Sequence, residues 1–209
     1  MNSVTYPIVE IFESLQGEGT NTGMPSIFVR FGKCNLRCTW CDTNYLDFEN
    51  WTLAEILQKI ESYSSKNIII TGGEPSIVVN ISLLLNILKE RGYFLAIETN
   101  GLTPTPMEID FIATSPKYCY WKKYQKRILS FANEVRIVVD SEATKEDMLA
   151  FCQWIKNKIS AKFYYLSPCE KDSKMNLFNT IQLLGLLNQE KEDNPWHLSI
   201  QTHKLIGIE

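Results

Sequence analysis

Three closely spaced cysteines in the first quarter of the 209-residue chain have the residue type and spacing of metal ligands. Cys34, Cys38 and Cys41 form a C-x3-C-x2-C pattern directly after the apolar segment Ser26–Phe31. A structural zinc site normally takes four ligands, often with His among them. Three thiolates without a fourth Cys or His nearby suit an iron–sulfur cluster that leaves one iron for another ligand. The spacing therefore predicts an iron–sulfur site, with zinc as the alternative.

Further polar groups follow the other apolar segments, at the points where strands are predicted to end. These groups are Gly32–Cys34, Gly72–Pro75, Glu98–Gly101, Ser115–Lys117, Ser167–Pro168 and Gln201–Lys204. In parallel α/β folds, ligands bind at the carboxyl ends of the strands. We therefore expect these groups to form one shared site.

The elements that must position these groups alternate between strands and helices. Apolar runs predict strands at Ser26–Phe31, Asn67–Thr71, Tyr93–Thr99, Asp110–Ser115, Glu134–Asp140, Phe163–Ser167 and His197–Thr202. Apolar spacing at i, i+3, i+4 and i+7 predicts helices after the Thr52/Glu55 capping box, over Ile81–Leu88, after Thr144 and over Leu177–Leu184. This alternation favours a parallel α/β fold with right-handed crossovers.

The length of the chain limits which parallel fold is possible. A complete eight-unit β/α barrel needs about 250 residues, and the chain has 209. The predicted strands give roughly six strand–helix units and a final strand. We therefore predict a partial, open (β/α)6 TIM-like barrel, formed by one domain over residues 1–209.

Composition excludes several classes of protein. The chain is 44% apolar and carries 21 basic against 24 acidic residues, which excludes a disordered chain. No apolar run of about 18 residues and no secretory pattern at the N-terminus occur, so we expect a cytoplasmic protein without a membrane partner. A pI near 5.6 predicts no nucleic-acid partner. The basic stretch Lys122–Arg127 is interpreted as a solvated surface, and its aromatic neighbours as a packed lid or a dimer surface rather than a base-stacking patch.

The remaining cysteines carry less information. Cys152 lies on the apolar face of a predicted helix and is interpreted as a small core residue. Cys119 and Cys169 receive no assignment.

The cysteine pattern, followed by Gly72-Gly73-Glu74-Pro75, resembles the radical S-adenosylmethionine (SAM) superfamily. The resemblance implies the radical SAM fold, a [4Fe–4S] cluster on Cys34, Cys38 and Cys41, and SAM on the unique iron. One-electron reduction then cleaves SAM to a 5′-deoxyadenosyl radical. The resemblance also implies a set of SAM-binding residues, with Thr99 as a weaker candidate: Trp40, Cys41, Asp42, Gly73, Glu74, Asn100, Ser115, Pro116, Lys117 and Ser167.

Motifs flanking the cysteines are similar to those of one family in that superfamily, which makes 7-carboxy-7-deazaguanine in queuosine and 7-deazapurine biosynthesis. These motifs are Glu13–Gly19, Arg30, Asp42-Thr43 and Trp196–Lys204. The likeness implies 6-carboxy-5,6,7,8-tetrahydropterin as substrate, radical ring contraction and loss of ammonia. It further implies a Mg²⁺ ion, a homodimer, and an external flavodoxin-like or ferredoxin-like electron donor.

The same likeness assigns roles to individual residues. Thr43 is implied as a magnesium ligand, and Arg30 as the partner of the substrate carboxylate. The residues implied to hold the pterin are Leu15, Gln16, Gly17, Thr71 and His203. The carboxylate of Glu209 is a further candidate at the substrate.

Two other functions compatible with the cysteine pattern stay open at this point. A glycyl-radical-enzyme activase shares C-x3-C-x2-C, but it needs a groove for a protein loop and no pterin pocket. A zinc-binding interaction module would be colourless and stable in air, whereas an iron–sulfur protein is brown and sensitive to oxygen.

Overall fold

The computed structural model describes residues 4–171, 174–189 and 193–208. The strands in these ranges are β1 (Thr5–Leu15), β2 (Pro25–Phe31), β3 (Glu49–Thr52), β4 (Asn67–Gly72), β5 (Phe94–Thr99), β6 (Phe111–Thr114), β7 (Phe131–Val139), β8 (Ser160–Pro168), β9 (Glu170–Lys171), β10 (Lys174–Met175) and β11 (Trp196–Leu198). The helices are α1 (Leu53–Glu61), α2 (Ile81–Glu90), α3 (Trp121–Tyr124), α4 (Lys145–Lys158), α5 (Leu177–Leu187) and α6 (Thr202–Ile206). None of the helices in these ranges is long and apolar enough to cross a membrane.

Nine of these strands form one sheet in the order β11-β8-β7-β6-β5-β4-β2-β1-β3. Every neighbouring pair from β2 to β11 is parallel, whereas β1 pairs antiparallel with both β2 and β3. The parallel part therefore has seven strands, as expected for six units and a final strand. β11 and β3 form the two edges of the sheet, which agrees with a partial barrel.

Helices cover the outer face of the sheet, and two apolar clusters fill the space between them. In the first cluster, Ile68 and Ile70 of β4 pack with Leu84 of α2. In the second, Val135 of β7 packs with Phe151 of α4. The two clusters fix the parallel strands against their crossover helices, because apolar area removed from water is the main favourable term in folding.

The inner face of the barrel changes from apolar to polar toward the carboxyl ends of the strands. Phe28, Ile69 and Ala96 form a small apolar cluster inside the barrel. Side chains two positions further along a strand return to the same face, and from Phe28 and Ile69 these are Arg30 and Thr71. The same strands that build the apolar floor therefore present polar groups above it.

The sequence analysis does not predict β1. Glu10 and Glu13 interrupt its apolar alternation, although Tyr6, Ile8 and Ile11 are buried. Glu10 lies opposite Arg30 of β2 and pairs with it, with 2.6 Å between Glu10 Oε1 and Arg30 Nε. The carboxylate of Glu10, which interrupts the apolar pattern of β1, is therefore paired with Arg30 on the neighbouring strand.

The predicted final strand over residues 197–202 is wrong in its second half. β11 ends at Leu198, and residues 202–206 form α6. The chain leaves the sheet because Ser199 accepts a hydrogen bond from Gly19 N (3.0 Å) and Thr202 N donates to Gly17 O (3.0 Å). Residues 199–202 therefore hydrogen-bond with the loop after β1 instead of continuing to pair within the sheet.

One crossover differs from the expected strand–helix alternation. β5 connects to β6 through residues 100–110, which contain no helix. This connection instead carries Asn100 into the site described below. The prediction that residues 1–209 form one domain includes residues outside the described ranges and stays a prediction.

Candidate active site

A cavity of about 980 Å³ lies at the carboxyl ends of the parallel strands. It is lined by groups from the strand ends, from the cysteine loop (residues 32–48) and from the C-terminal segment (residues 199–208). Nearly all the predicted site residues line this cavity: Leu15, Gln16, Gly17, Arg30, Cys34, Cys38, Trp40, Cys41, Asp42, Thr43, Thr71, Gly73, Thr99, Asn100, Ser115, Lys117, Ser167 and His203. Glu74 and Pro116 do not line it, and Glu209 lies outside the described residues.

The cysteine loop is held by backbone hydrogen bonds at both ends. Lys33 N donates to Tyr45 O (2.9 Å), which closes the loop onto itself. Cys41 N donates to Cys38 O (3.3 Å), and Leu36 N donates to the sulfur of Cys34 (3.4 Å). Two of these bonds join main-chain groups and the third holds the sulfur of Cys34, so together they restrict where the thiols lie.

The three thiols suit a multi-iron cluster better than a single metal ion. All three are free and line the same cavity. Within the ranges that the structure describes, no three Cys, His, Asp or Glu side chains converge closely enough to hold one metal ion. In a [4Fe–4S] cluster each thiolate binds a different iron, so such convergence is not required.

The thiols must lose their protons to bind iron. Some neighbouring groups raise the thiol pKa values, and others lower them. Burial raises the pKa of Cys34 and of Cys41. A hydrogen bond with the thiol of Cys119, together with burial, raises the pKa of Cys38. The ammonium of Lys117 opposes the rise at Cys38 and Cys41. Iron binding therefore displaces protons from thiols that are neutral in the metal-free protein.

The glycine pair Gly72-Gly73, at the end of β4, lets this turn lie directly against the cysteine loop. A Cβ on Gly73 would lie 1.9 Å from the carbonyl oxygen of Lys33. Glu74 N donates to that same oxygen (2.9 Å). The sequence analysis relates these glycines to the cofactor, and the structure adds a second reason for them, which is close packing of the two loops.

Glu74 is fully buried beneath the cavity. Its carboxylate accepts hydrogen bonds from the Thr99 hydroxyl (2.7 Å), from Asn100 N (2.7 Å) and from the hydroxyl of Ser76 (2.6 Å). Glu74 therefore orients the end of β5, where Thr99 and Asn100 face the cavity. Asn100 in turn donates through Nδ2 to Asn35 Oδ1 (2.7 Å) in the cysteine loop.

Lys117 and Trp40 lie together on the wall of the cavity beside the thiols. Lys117 Nζ lies 5.1 Å from the centre of the Trp40 ring and donates to the hydroxyl of Ser115 (2.7 Å). The indole nitrogen of Trp40 donates to Asp140 Oδ2 (3.4 Å). An aromatic face next to a cation can cover an adenosine or methionine group, since ring faces are apolar and polarisable.

A buried cluster of charges that the sequence analysis missed contributes to the lining of the same cavity. Arg136 on β7 is 8% exposed, and its Nη2, Nη1 and Nε lie 2.6, 2.9 and 2.9 Å from carboxylate oxygens of Glu98, Glu18 and Glu134. The alternation of Glu134 and Arg136 with buried Val135 and Ile137 was the available signal. Charged residues at the inner positions of a buried strand indicate a polar interior.

Glu98 connects this charge cluster to the predicted substrate residues. Its carboxylate accepts hydrogen bonds from Gln16 Nε2 (3.1 Å), Thr71 Oγ1 (2.8 Å) and Arg136 (2.6 Å). Burial by itself would raise its pKa, but the guanidinium of Arg136 and the three hydrogen bonds hold the pKa of Glu98 at about 2. Glu98 is therefore an ionised acceptor at neutral pH.

The C-terminal segment packs against the loop after β1 and against the cysteine loop. A Cβ on Gly17 would lie 1.9 Å from Nδ1 of His203, so glycine leaves room for the imidazole in this position. Gln201 Nε2 donates to Glu18 Oε1 (2.8 Å), and Lys204 Nζ lies 3.1 Å from Asp42 Oδ2. These contacts join the loop after β1 to the residue that follows Cys41.

Comparison with known proteins defines the class first. The Radical SAM superfamily profile matches residues 28–179. A crystal structure of QueE from Escherichia coli superposes with a TM-score of 0.67 at 24% identity, over 94% of each chain. This likeness supports the fold, and the profile match makes the chain a radical SAM protein.

Two similar relatives narrow the assignment. The 7-carboxy-7-deazaguanine synthase of Haemophilus influenzae is 65% identical over 204 residues, which cover 98% of this chain and 94% of the relative. The enzyme of the same name from Neisseria meningitidis is 56% identical over 205 residues, with 98% and 94% coverage. The chain belongs to the 7-carboxy-7-deazaguanine synthase family. The predicted fold, [4Fe–4S] cluster and SAM are thereby confirmed, and neither alternative function is favoured.

Gly73→Ala tests the close packing of the two loops. The added methyl group must displace the Lys33 carbonyl, so we expect a loss of about 1–3 kcal/mol in the free energy of unfolding and less iron bound after reconstitution. Gly185→Ala is the matched control, because no atom lies within 4 Å of its Cβ position and the residue lies inside α5. The control should stabilise the protein by about 0.5–1 kcal/mol. Urea unfolding and iron analysis measure both effects, and equal behaviour of the two variants would contradict this role.

Glu98→Gln tests the buried ion pair through its pH dependence. Because the pKa of Glu98 is depressed from 4.5 to about 2, its contribution to stability is complete above pH 4.5 and is lost as the pH falls toward 2. We expect the variant to cost about 3 kcal/mol at pH 6, and this difference from wild type should shrink at pH 4 and again at pH 3. Urea unfolding of the metal-free proteins gives these values. A difference that stays constant over this range would contradict the assignment, and exposed Glu90→Gln should change stability by less than about 0.5 kcal/mol.

Proposed function

We propose that this chain converts 6-carboxy-5,6,7,8-tetrahydropterin to 7-carboxy-7-deazaguanine and ammonia by radical ring contraction. The observation that carries the proposal is a single cavity that is lined both by the thiols of the cysteine loop and by the hydrogen-bonded side chains of Gln16, Glu98 and Arg136. The residues that would hold the cluster and SAM therefore share one cavity with polar side chains that could hold a substrate. The relatives that share this family name support the same reaction.

The bound cluster and SAM supply a 5′-deoxyadenosyl radical. In this proposal Cys34, Cys38 and Cys41 hold the cluster. Trp40, Lys117 and the polar ends of β5 and β6 surround SAM. The cysteine loop and the glycine turn pack closely, and a closely packed site excludes water from a reactive intermediate.

Gln16, Glu98 and Thr71 recognise the pterin ring in our proposal. A pterin edge presents N–H donors beside carbonyl and ring-nitrogen acceptors. The ionised carboxylate of Glu98 is suited to N–H donors. The amide of Gln16 and the hydroxyl of Thr71 can each donate and accept hydrogen bonds. Since Arg136 fixes Glu98, the acceptor is held in place before the substrate arrives, which reduces the cost of ordering on binding.

Arg30 is proposed to bind the substrate carboxylate. Its Nε is held 2.6 Å from Glu10 Oε1, and its guanidinium carbon lies 5.7 Å from the centre of the Phe12 ring. These contacts orient the planar group at the cavity wall, and its terminal nitrogens can then pair with a carboxylate in a bidentate manner.

Thr43 is proposed to bind Mg²⁺ beside the substrate. Thr43 lines the cavity two residues after Cys41. Magnesium takes few protein ligands and keeps several waters or substrate oxygens, so one hydroxyl near the substrate carboxylate is sufficient.

The C-terminal segment is proposed to close the pocket. Contacts of His203 with Gly17 and of Lys204 with Asp42 hold it across the opening. Glu209, the homodimer, the external electron donor and a cytoplasmic location remain predictions that come from the family likeness.

Anaerobic reconstitution tests the activity directly. We expect the protein reconstituted with iron and sulfide to form 7-carboxy-7-deazaguanine from the pterin, SAM, Mg²⁺ and dithionite. Cys38→Ala should abolish product formation and cluster absorbance, since a ligand is lost. Cys152→Ala should keep both, because Cys152 lies in the apolar core. A fully loaded cluster that yields no product, or activity only on a protein loop, would reject the proposal.

Arg30→Ala and Thr43→Ala form a matched pair that separates the two binding roles. Arg30→Ala should raise KM for the pterin by about tenfold to a hundredfold, because a charge-assisted pair contributes about 1.5–3 kcal/mol. Thr43→Ala should raise the Mg²⁺ concentration needed for half-maximal rate. Each variant should leave the other parameter and the iron content near wild type. Loss of iron in Arg30→Ala, or an unchanged Mg²⁺ response in Thr43→Ala, would contradict the respective role.

A further inference from the structure

Cys119, to which the sequence assigns no role, lies beside the cysteine loop. Its thiol and the thiol of Cys38 are joined by a hydrogen bond. Both thiols are free, and Cys119 is exposed whereas Cys38 is half-buried. Cys119 does not line the cavity, so it meets Cys38 from outside the site. One of the three proposed cluster ligands is therefore in contact with a fourth cysteine that solvent can reach.

Main-chain hydrogen bonds next to the two cysteines hold them opposite each other. The hydroxyl of Tyr120 accepts a hydrogen bond from Arg37 N (2.9 Å) and donates one to Arg37 O (2.9 Å). Cys38 is one residue after Arg37, and Cys119 is one residue before Tyr120. The contact between the thiols therefore follows from a connection between the two backbones, and not from the rotation of one side chain.

A second contact on the other side of the thiols has the same register. The ammonium of Lys117 lies 5.1 Å from the centre of the Trp40 ring. Trp40 is two residues after Cys38, and Lys117 is two residues before Cys119. Residues 37–40 and 117–120 thus run side by side in opposite directions. The two thiols lie between two contacts, so they stay adjacent without a rearrangement of either segment.

The other two thiols of the cysteine loop are engaged within their own loop. The thiol of Cys34 accepts a hydrogen bond from a main-chain N–H group two residues later (3.4 Å), and the thiol of Cys41 donates to a main-chain carbonyl two residues later (3.7 Å). The hydrogen bond of the Cys38 thiol is with Cys119 instead. A disulfide that includes Cys38 is therefore expected to join it to Cys119 and not to Cys34 or Cys41.

We propose that Cys119 is a resolving thiol for Cys38: while Cys38 holds no iron, a peroxide converts the two thiols to a Cys38–Cys119 disulfide, which a thiol reductant reopens. The inference rests on the proposed function in that Cys38 is taken as a cluster ligand, but it does not require the pterin. A thiol that is oxidised beyond the sulfenic acid is lost irreversibly as a ligand. The disulfide instead keeps Cys38 in a recoverable form before cluster assembly and after cluster loss.

The atoms and electrons of this reaction balance in two steps. First, the exposed thiol of Cys119 takes one oxygen atom from hydrogen peroxide, which gives a sulfenic acid and water. The sulfur of Cys38 then bonds to the sulfur of Cys119, the S–O bond of the sulfenic acid breaks, and the oxygen leaves as water with the proton of the Cys38 thiol. The two thiols together lose two electrons, and the peroxide gains them.

Disulfide mapping of the cluster-free protein tests the pairing. Wild type and Cys152→Ala, whose altered position lies in the apolar core, are fully reduced and then treated anaerobically with hydrogen peroxide. The remaining thiols are alkylated, and the unreduced peptides are analysed by mass spectrometry. We expect a linked pair of peptides that contain Cys38 and Cys119 in both proteins, and its loss after treatment with dithiothreitol. Absence of this pair, or a link from Cys38 to Cys34 or Cys41 in its place, would overturn the proposal.

Cys119→Ala tests the protection of Cys38, with Cys152→Ala as the matched control. At equal peroxide, the fraction of Cys38 that carries the two oxygen atoms of a sulfinic acid should be at least about threefold higher in Cys119→Ala than in wild type, because no resolving thiol is present. The same fraction at Cys34 and Cys41 should not change, and the control should match wild type at Cys38. An equal sulfinic fraction at Cys38 in Cys119→Ala and wild type would contradict the role of Cys119.

Iron uptake separates this proposal from the others. Without peroxide, Cys119→Ala should bind as much iron as wild type, since Cys119 is not proposed as a cluster ligand. Loss of iron in this untreated variant would overturn the proposal and make Cys119 a ligand instead. After peroxide and then dithiothreitol, wild type should recover more iron binding than Cys119→Ala, and equal recovery would again count against a resolving thiol. None of these measurements uses the pterin, so absence of product in the activity test would reject the proposed function without changing them.

Discussion

The buried guanidinium of Arg136 is the interaction on which the polar interior of this barrel depends. Three carboxylates, from Glu18, Glu98 and Glu134, lie within 2.9 Å of its nitrogens. Without a cation, burying these acids together would be strongly unfavourable, because a buried charge is tolerated only when paired and hydrogen-bonded. Glu98 also accepts hydrogen bonds from Gln16 and Thr71. The same ion pair therefore holds the side chains proposed to bind the pterin in place before any ligand binds.

The site is shared between parts of the chain that are far apart in sequence. The loop after β1, the cysteine loop and the C-terminal segment meet through Gly17, Asp42 and Lys204. The Lys33 carbonyl occupies the space of a Cβ at position 73, and the imidazole of His203 occupies that space at position 17. Close packing against the Lys33 main chain therefore gives a structural reason for Gly73, and close packing against the His203 side chain gives one for Gly17.

Charge is distributed unevenly over the molecule, and this unevenness follows the proposed chemistry. Acidic groups are concentrated inside the cavity wall, where they are paired and can bind N–H donors. Exposed basic groups without an ion pair in the described ranges lie both beside the cysteine loop, as Lys122 does, and near the amino ends of the strands, as Lys66 does. The small net charge of −3 does not reveal this distribution.

The sequence by itself predicted the cluster ligands and determined the seven parallel strands and the capping of α1. These features depend on local spacing and periodicity: three thiols within one loop, apolar runs, and the Thr52–Glu55 box. The partial barrel followed from length and strand number. Only the tertiary structure decided the roles of Arg136, Glu98 and Glu18, the strand β1, and the turn of residues 199–206 away from the sheet. These features depend on contacts between residues up to 185 positions apart, such as Thr202 with Gly17. No local pattern encodes such a partner, since charge pairing and backbone packing act only once the fold brings the groups together.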